Sequence, residues 1–246
     1  MSALCCTPLG VGDAFSARWY SSCLLLEAEG ERLLVDCPHP IRKMLAESTS
    51  GRVDVGDVSA VVLTHLHADH ASGVEGFGYF TRFVLGRRAR LVAHPSVAAR
   101  LWDGHLAAGM ETLLDAPGGT PRPMRLQDYF ELESLAFERP LVLGPFTLEC
   151  RATQHHVPTT ALCISAAGRK LGLSADTCFD PTLIEWLAQA HLVVHETNHG
   201  VHTPYAALAG LPDELRAKLR LIHYPDDFER EASVIQVLEQ GVTVRV

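Results

Sequence analysis

Short apolar runs and longer amphipathic stretches alternate along the chain, and the two patterns predict different elements. Apolar, often β-branched runs of a few residues are typical of strands, and they occur near 3–11, 22–28, 32–36, 58–64, 90–93, 146–152, 161–166, 170–174, 191–195, 219–223 and 242–246. Charged residues interleave with Leu, Ala and Ile at helical spacing in 39–48, 73–84, 95–107, 180–189, 204–217 and 228–239. The pattern predicts an α/β protein with two strand-rich halves and helices outside them.

The segment 108–140 fits neither pattern. Several residues that break regular structure interrupt it, namely Pro117, Gly118, Gly119, Pro121 and Pro123, so we expect a loop there. A loop of this length inside a compact domain is usually functional or mobile. A lid, a homodimer contact and a plain surface insertion remain open alternatives.

Length and composition are those of one compact domain. Of the 246 residues, 47% are hydrophobic, and no linker or repeat divides them, so we expect a single domain over 1–246. No apolar segment approaches the roughly 20 residues that span a bilayer, and the N-terminus lacks a basic region followed by an apolar core. We therefore expect a cytoplasmic protein without a membrane segment.

The seven cysteines do not point to a disulfide framework or a thiolate metal site. A disulfide framework favours an even number of cysteines, and a thiolate metal site favours Cys-x-x-Cys spacing. Here the number is odd and that spacing is absent. We expect reduced and mostly buried thiols without a catalytic role.

The densest chemical signal is Thr-His-Leu-His-Ala-Asp-His at 64–70, directly after the apolar run 58–63. In an extended segment His65 and His67 point to the same side, because side chains alternate with a period of two. A following tight turn can bring Asp69 and His70 to a neighbouring position. Four potential ligands in six positions therefore predict a metal site, with room for two adjacent ions.

This motif resembles the first metal motif of the metallo-β-lactamase superfamily. Three later segments resemble the superfamily's further motifs in the expected order: Thr-Gln-His-His-Val-Pro at 153–158, Leu-Ser-Ala-Asp-Thr at 173–177 and Leu-Ile-His-Tyr at 221–224. The resemblance implies an αββα sandwich, in which two facing mixed sheets are flanked by helices. It also implies the ligands of two metal ions: His65, His67 and His155 for one, Asp69, His70 and His223 for the other, and Asp176 as a bridge.

The third motif contains two adjacent histidines, and only one of them can face the metals, because neighbouring side chains on a strand point to opposite faces. The phosphodiesterase branch of the superfamily typically shows His, any residue, then Val-Pro. Here that order selects His155 and leaves His156 behind the ligands. The resemblance also implies that Asp36 supports the site, with a surface turn as the competing interpretation.

Two divalent ions near one bridging water can lower the pKa of that water from 15.7 to about 7 and stabilise the attacking and leaving oxygens of a displacement. A metal-dependent hydrolase is therefore expected, in which a hydroxide that bridges the metals attacks the substrate. Imidazole and carboxylate ligands suit Zn²⁺, Mn²⁺ and Fe²⁺ alike; Zn²⁺ is our expectation.

A second resemblance concerns the leaving group. Val-Val-His-Glu-Thr-Asn at 193–198 and His202-Thr203 resemble segments of the ribonuclease Z-like branch, which favours phosphodiester hydrolysis. His202 would then protonate the departing alkoxide, and Glu196 would orient it and raise its pKa. We count Asp69, Glu196 and His202 as the catalytic residues, and His199 is an alternative to His202.

The substrate is expected to be small. The ribonucleases carry a tRNA-gripping arm, but only 21 residues separate His155 from Asp176, and the net charge is −8, whereas nucleic-acid grips concentrate positive charge. A small phosphodiester such as a cyclic nucleotide fits best. Hydrolysis of a lactone or thioester and di-iron redox chemistry are the alternatives.

Overall fold

The computed structural model describes residues 3–246, which form two large mixed sheets, each with its own helices. The first sheet has the order β15-β1-β2-β3-β4-β5-β8, where these strands are β1 (Cys5–Gly10), β2 (Cys23–Ala28), β3 (Glu31–Val35), β4 (Ala60–Leu63), β5 (Ala89–Ala93), β8 (Phe130–Ser134) and β15 (Val244–Arg245). The second has the order β14-β13-β12-β11-β10-β9, with β9 (Leu141–Leu143), β10 (Phe146–Ala152), β11 (Thr160–Ala166), β12 (Arg169–Leu173), β13 (Leu192–Glu196) and β14 (Leu219–Ile222). A small hairpin pairs β6 (Thr112–Leu113) with β7 (Arg122–Pro123).

The helices are mostly short. They are α1 (Ile41–Ser48), α2 (Ala68–Ala71), α3 (Val74–Phe83), α4 (Pro95–Ala98), α5 (Ala107–Met110), α6 (Leu126–Tyr129), α7 (Pro181–Leu187), α8 (Tyr205–Ala209) and α9 (Asp213–Lys218). A π-helical turn spans Trp102–Leu106, and 3₁₀ turns span Val55–Asp57 and Arg230–Ala232.

Alternation along the strands builds two hydrophobic layers. On β2, Leu24 and Leu26 point into the core between the sheets, whereas Leu25 belongs to a second core with residues of α1 and α3. On the other sheet, Leu183 and Leu187 of α7 pack into the first core cluster. Successive side chains of a strand point to opposite faces of the sheet, so a strand that is apolar at every position packs against the facing sheet on one side and against helices on the other. The expected sandwich is confirmed.

The strand directions place the important loops at one edge. β3 and β4 are parallel and end at Val35 and Leu63, while β12, β13 and β14 are parallel and end at Leu173, Glu196 and Ile222. β11 runs antiparallel to β12, so that it begins where β12 ends. The segments that follow or precede these ends, which contain all the metal motifs, therefore meet at the same edge of the sandwich.

Two helix predictions are wrong in ways that the contacts explain. The segment 228–239 is not a helix: after the short turn Arg230–Ala232, the amide of Leu221 donates to Gln236, and the amide of Leu238 donates back to Leu221. Pairing with the edge of β14 satisfies this backbone in place of helical bonds. The predicted helix 204–217 is interrupted between α8 and α9 at 210–212, where Gly210 ends one helix and Pro212 begins the next.

The segment 108–140 is more ordered than the expected loop. It contains part of α5, the β6-β7 hairpin, α6 and the edge strand β8, which pairs in parallel with β5. The sequence analysis missed β8, whose short segment Phe-Glu-Leu-Glu-Ser is mostly exposed at the edge of the sheet. The longest irregular stretch is the turn at 114–121.

The part of the chain from residue 3 to 246 contains no helix that is long and apolar enough to cross a bilayer. Its seven cysteines are free thiols, five of them buried. Burial raises the pKa of Cys6 to about 12, so this thiol stays protonated at neutral pH. The expectation of reduced and mostly buried cysteines agrees with this arrangement.

Leu148→Ala should test the core between the sheets. Leu148 is fully buried on β10, and loss of such a side chain costs about 2–5 kcal/mol, because a cavity remains. Urea denaturation followed by tryptophan fluorescence measures the free energy of unfolding. Leu114→Ala is the matched control, since Leu114 is 57% exposed and should change stability by less than about 0.5 kcal/mol. Equal effects of the two substitutions would contradict the assigned core.

Candidate metal centre

The first cluster consists of His65, His67, His155 and Asp176. His65 follows β4 directly, and His67 caps the start of α2, whereas His155 lies in the loop between β10 and β11. Nε2 of His65 is 3.1 Å from Nδ1 of His67, which is 3.4 Å from Nε2 of His155. Oδ2 of Asp176 lies 3.6 Å from His65 and 3.8 Å from His155. Four potential donor atoms therefore converge on one point.

The second cluster consists of Asp69, His70, His223 and the other oxygen of Asp176. The short helix α2 brings Asp69 and His70 into one turn, and His223 follows β14. Oδ2 of Asp69 is 3.3 Å from Nε2 of His70 and 3.2 Å from Nε2 of His223. Oδ1 of Asp176 is 3.4 Å and 3.7 Å from the same two nitrogens. Asp176 thus turns one oxygen to each cluster.

Both clusters fit a divalent ion. Nε2 of His70 is buried and has no hydrogen-bond partner in the described structure, although buried polar atoms are normally paired. The donor set contains imidazole and carboxylate but no thiolate, which suits Zn²⁺, Mn²⁺ or Fe²⁺. A metal ion would give the orphaned nitrogen its missing partner.

The protonation of the clusters supports the same conclusion. Burial lowers the pKa of His65 and brings that of His155 to about 4, so that these rings are neutral, as ligands must be. Burial also opposes charge on His223, but the carboxylates of Asp176, Asp69 and Glu196 outweigh it and raise the pKa of His223 to about 10. Without a cation, the second cluster therefore holds protons that a metal ion would displace.

Asp36 lies behind both clusters, where the family resemblance placed it. Its carboxylate accepts hydrogen bonds from the amide of Thr64 at 2.8 Å, from the Thr64 hydroxyl and from Nδ1 of His70 at 2.8 Å. The Thr64 hydroxyl lies 3.0 Å from Nδ1 of His65. One buried carboxylate therefore orients a ligand in each cluster and leaves both Nε2 atoms free for metal.

Glu196 and His202 form a pair beside the clusters. Nδ1 of His202 lies 2.8 Å and 3.0 Å from the two oxygens of Glu196 and 4.0 Å from Asp176. The hydrogen bond that Nδ1 of His202 donates to the Glu196 carboxylate raises the pKa of His202. Glu196 also accepts from the amide of Thr177 and lies 3.5 Å from Nδ1 of His223. The carboxylate therefore connects the ring of His202 with a potential metal ligand.

His199 lies outside this arrangement, since its side chain is 75% exposed and faces Asp227 at 3.2 Å. The structure also separates the two adjacent histidines. The side chain of His155 is fully buried in the first cluster. His156 is exposed; its Nε2 lies 3.0 Å from Nε2 of His67, the ring nitrogen that points away from the cluster. This placement favours His155 as the ligand.

Sequence reasoning missed two groups that the fold brings to the site. Thr64 could have been noticed, because it directly precedes His65 in the motif. Asp13 could not have been noticed, because it lies in the loop after β1. Its carboxylate accepts a hydrogen bond from the side-chain amide of Asn198 at 3.1 Å, and the same amide nitrogen lies 3.5 Å from Nδ1 of His223. Nothing in the local sequence connects this loop with a residue 210 positions later.

Residues 4–243 match the sequence profile of the family described as anti-Pycsar protein Apyc1. The chain belongs to this family. The anti-Pycsar protein Apyc1 of Saccharibacillus brassicae is 29% identical over 246 residues, which cover 95% of this chain and 96% of that protein. The protein of the same name from Bacillus phage 010DV004 is 30% identical over 254 residues, with 96% of both chains covered.

A solved structure supports the fold independently. The metallo-β-lactamase fold protein YhfI from Bacillus subtilis superimposes with a TM-score of 0.81 and covers 99% of this chain and 100% of its own, at 18% identity. At this identity the likeness shows the fold alone. It confirms the sandwich architecture that the sequence motifs implied.

Asp36→Asn should weaken metal binding although it replaces none of the proposed metal ligands. The amide keeps the size of the side chain but loses the charge that orients Thr64 and His70, and we expect Zn²⁺ affinity to fall about 10- to 100-fold. Competition with a chromophoric chelator measures the affinity. Asp115→Asn, at an exposed ion pair with Arg122, should behave like the unaltered protein. An unchanged affinity in Asp36→Asn would show that Asp36 does not support the site.

Proposed function

We propose that the protein is a dinuclear metal-dependent phosphodiesterase that hydrolyses a small phosphodiester such as a cyclic nucleotide. The position of Asp176 carries the proposal: its two oxygens face two separate clusters of ligands, 3.4–3.8 Å from their histidine nitrogens. This arrangement suits two ions that share one carboxylate. One hydrolase domain over 1–246, with Zn²⁺ as its metal, is part of the proposal.

A pair of bound divalent ions supplies an activated water and stabilises the attacking and leaving oxygens of the phosphate. The residues of the chain provide the remaining functions. His65, His67 and His155 would hold one ion and Asp69, His70 and His223 the other, with one oxygen of Asp176 available to each. Asp36 holds the rings of this set in place from behind.

The second function of the chain is proton delivery. Because Nδ1 of His202 is engaged by Glu196 at 2.8 Å, Nε2 is left to face the leaving oxygen. The raised pKa of His202 keeps its acidic form populated near neutral pH, as a general acid requires. Asp69, Glu196 and His202 are thus the proposed catalytic residues beside the metals.

Two features favour a small substrate. The interval between His155 and Asp176 is filled by β11 and β12 of the second sheet, so this interval offers no arm for a tRNA. The net charge of −8 opposes the extended phosphate contacts that nucleic acids need. The two relatives described above are named anti-Pycsar proteins, and the second of them is from a phage. We propose the same anti-Pycsar role for this chain.

Metal dependence is the first test. Protein reconstituted with Zn²⁺ or Mn²⁺ should release nitrophenolate from bis(p-nitrophenyl) phosphate and open 3′,5′-cyclic nucleotides, and the chelated protein should do neither. His67→Ala and Asp176→Ala should fall to the level of the chelated protein, because each removes a donor of the first cluster. His191→Ala, an exposed histidine on the amide of Lys170, is the control and should keep full activity.

Metal content measured on the same samples should be two ions per chain. A protein that holds two ions but hydrolyses no phosphodiester would exclude the proposed function, and lactone and thioester substrates would then be tested. Iron with visible absorbance and redox activity would instead favour the di-iron alternative.

His202→Ala should reveal the general acid. A cyclic nucleotide has a poor leaving group that needs a proton, so its hydrolysis should slow about 10²- to 10⁴-fold. Bis(p-nitrophenyl) phosphate has a good leaving group and should be affected much less. Initial rates on both substrates at saturating metal give the comparison. Equal losses on the two substrates would remove His202 as the acid.

A further inference from the structure

We infer that His156 is a positioning residue: it accepts a hydrogen bond from Nε2 of His67 and so fixes the tautomer in which Nδ1 of His67 can bind metal. The inference rests on the metal clusters of the proposed function, although not on the identity of the substrate. His156 is not one of the four ligands of the first cluster, and its side chain is exposed.

The two nitrogens of His67 face different surroundings. Nδ1 lies 3.1 Å from Nε2 of His65 and 3.4 Å from Nε2 of His155, so that it points into the first cluster. Nε2 lies on the opposite side of the ring, 3.0 Å from Nε2 of His156. If Nδ1 gives its lone pair to a metal, the ring proton must be on Nε2. That proton then needs an acceptor, and His156 provides it.

The other ligand rings show why this contact matters. Nδ1 of His70 is held by Asp36, and Nδ1 of His65 lies 3.0 Å from the Thr64 hydroxyl. Both of those rings are buried, whereas His67 is only partly buried. Water therefore competes for the outer nitrogen of His67, and a fixed acceptor is needed to hold its ring and tautomer.

The loop that carries His156 is fixed to the site on both sides. The hydroxyl of Thr153 donates to the carbonyl of Asp176 at 2.7 Å, and the amide of Thr160 donates to the carbonyl of Thr64 at 3.1 Å. The ring of His67 lies 5.0 Å from that of His155 and 4.7 Å from that of His156, measured between centroids. Consecutive residues thus approach the inner and the outer nitrogen of the same ring.

Metal affinity and the ring proton provide the test. In His156→Ala we expect the affinity for the first cluster's ion to fall about 10- to 100-fold, as for other lost partners of ligand histidines. In His156→Gln the affinity should stay close to that of the unaltered protein, because the Gln amide oxygen can occupy the place of Nε2 and accept the same bond. Competition of Zn²⁺ and Co²⁺ against a chelator measures both variants, and His191→Ala is the control.

The spectroscopic readout is independent of activity. In protein labelled with ¹⁵N-histidine and loaded with Zn²⁺, the Nε2 proton of His67, assigned by its loss in His67→Ala, should be observable and slow to exchange. This signal should disappear in His156→Ala and return in His156→Gln.

Three outcomes would overturn the inference. In the first, the metal affinity and the Nε2 proton signal of His67 are retained in His156→Ala. In the second, His156→Gln binds metal as weakly as His156→Ala. In the third, His156→Ala loses one ion completely while His155→Ala keeps two, which would make His156 the ligand. A protein that passes the affinity test but hydrolyses no phosphodiester would exclude the proposed function and leave the role of His156 intact.

Discussion

The buried carboxylate of Asp36 is the interaction on which the geometry of the site depends. Its side chain lies between β3 and the loop after β4, is 6% exposed and accepts hydrogen bonds from Thr64 and His70. A buried charge is costly unless it is fully hydrogen-bonded, so these bonds are needed for the fold as well as for the site. The parallel pairing of β3 with β4 supplies the geometry, because the amide of Asp36 donates to Val62. The residue adopts a positive φ of 62°, an uncommon conformation that persists where the surroundings determine it.

The second constraint is the packing of the two sheets. The first sheet provides the motif at 64–70, while His155, Asp176 and His223 come from loops of the second sheet. The distance between the two sets of ligands is therefore set by the side chains that fill the space between the sheets, such as Leu26 and Leu148. Protein cores are close-packed and resist small shifts. A substitution far from the site can consequently alter metal binding by changing how the sheets meet.

The sequence was most informative where a residue's role depends on its own neighbours. The strand before His65 and the spacing of 64–70 follow local patterns, and the pair Glu196 and His202 was implied by the resemblance of their short segments to the ribonuclease Z-like branch. The structure brings these residues together. The predictions for 130–134, where β8 was missed, and for 228–239, where a helix was expected, were wrong for a common reason. Both segments lie at sheet edges, where long-range backbone pairing outweighs local propensity. The choice between His155 and His156 likewise depends on how a loop is tied to Thr64 and Asp176, which periodicity does not reveal.

The charges at the site are consistent with the proposal that this acidic protein acts on an anionic substrate. Asp36, Asp176 and Glu196 are buried in the same region, and Asp69 is partly buried beside them. In the proposed enzyme the charges of two divalent ions balance those of these four carboxylates. A protonated His202 offsets the charge of the attacking hydroxide, so that these groups together carry no net negative charge to repel a phosphodiester. Bound cations are often the largest local charges in a site, whereas the field farther out follows the net charge of −8. A small diester meets only the centre, but a polynucleotide would also extend over the acidic surface, so the same charge distribution that accepts the first substrate disfavours the second.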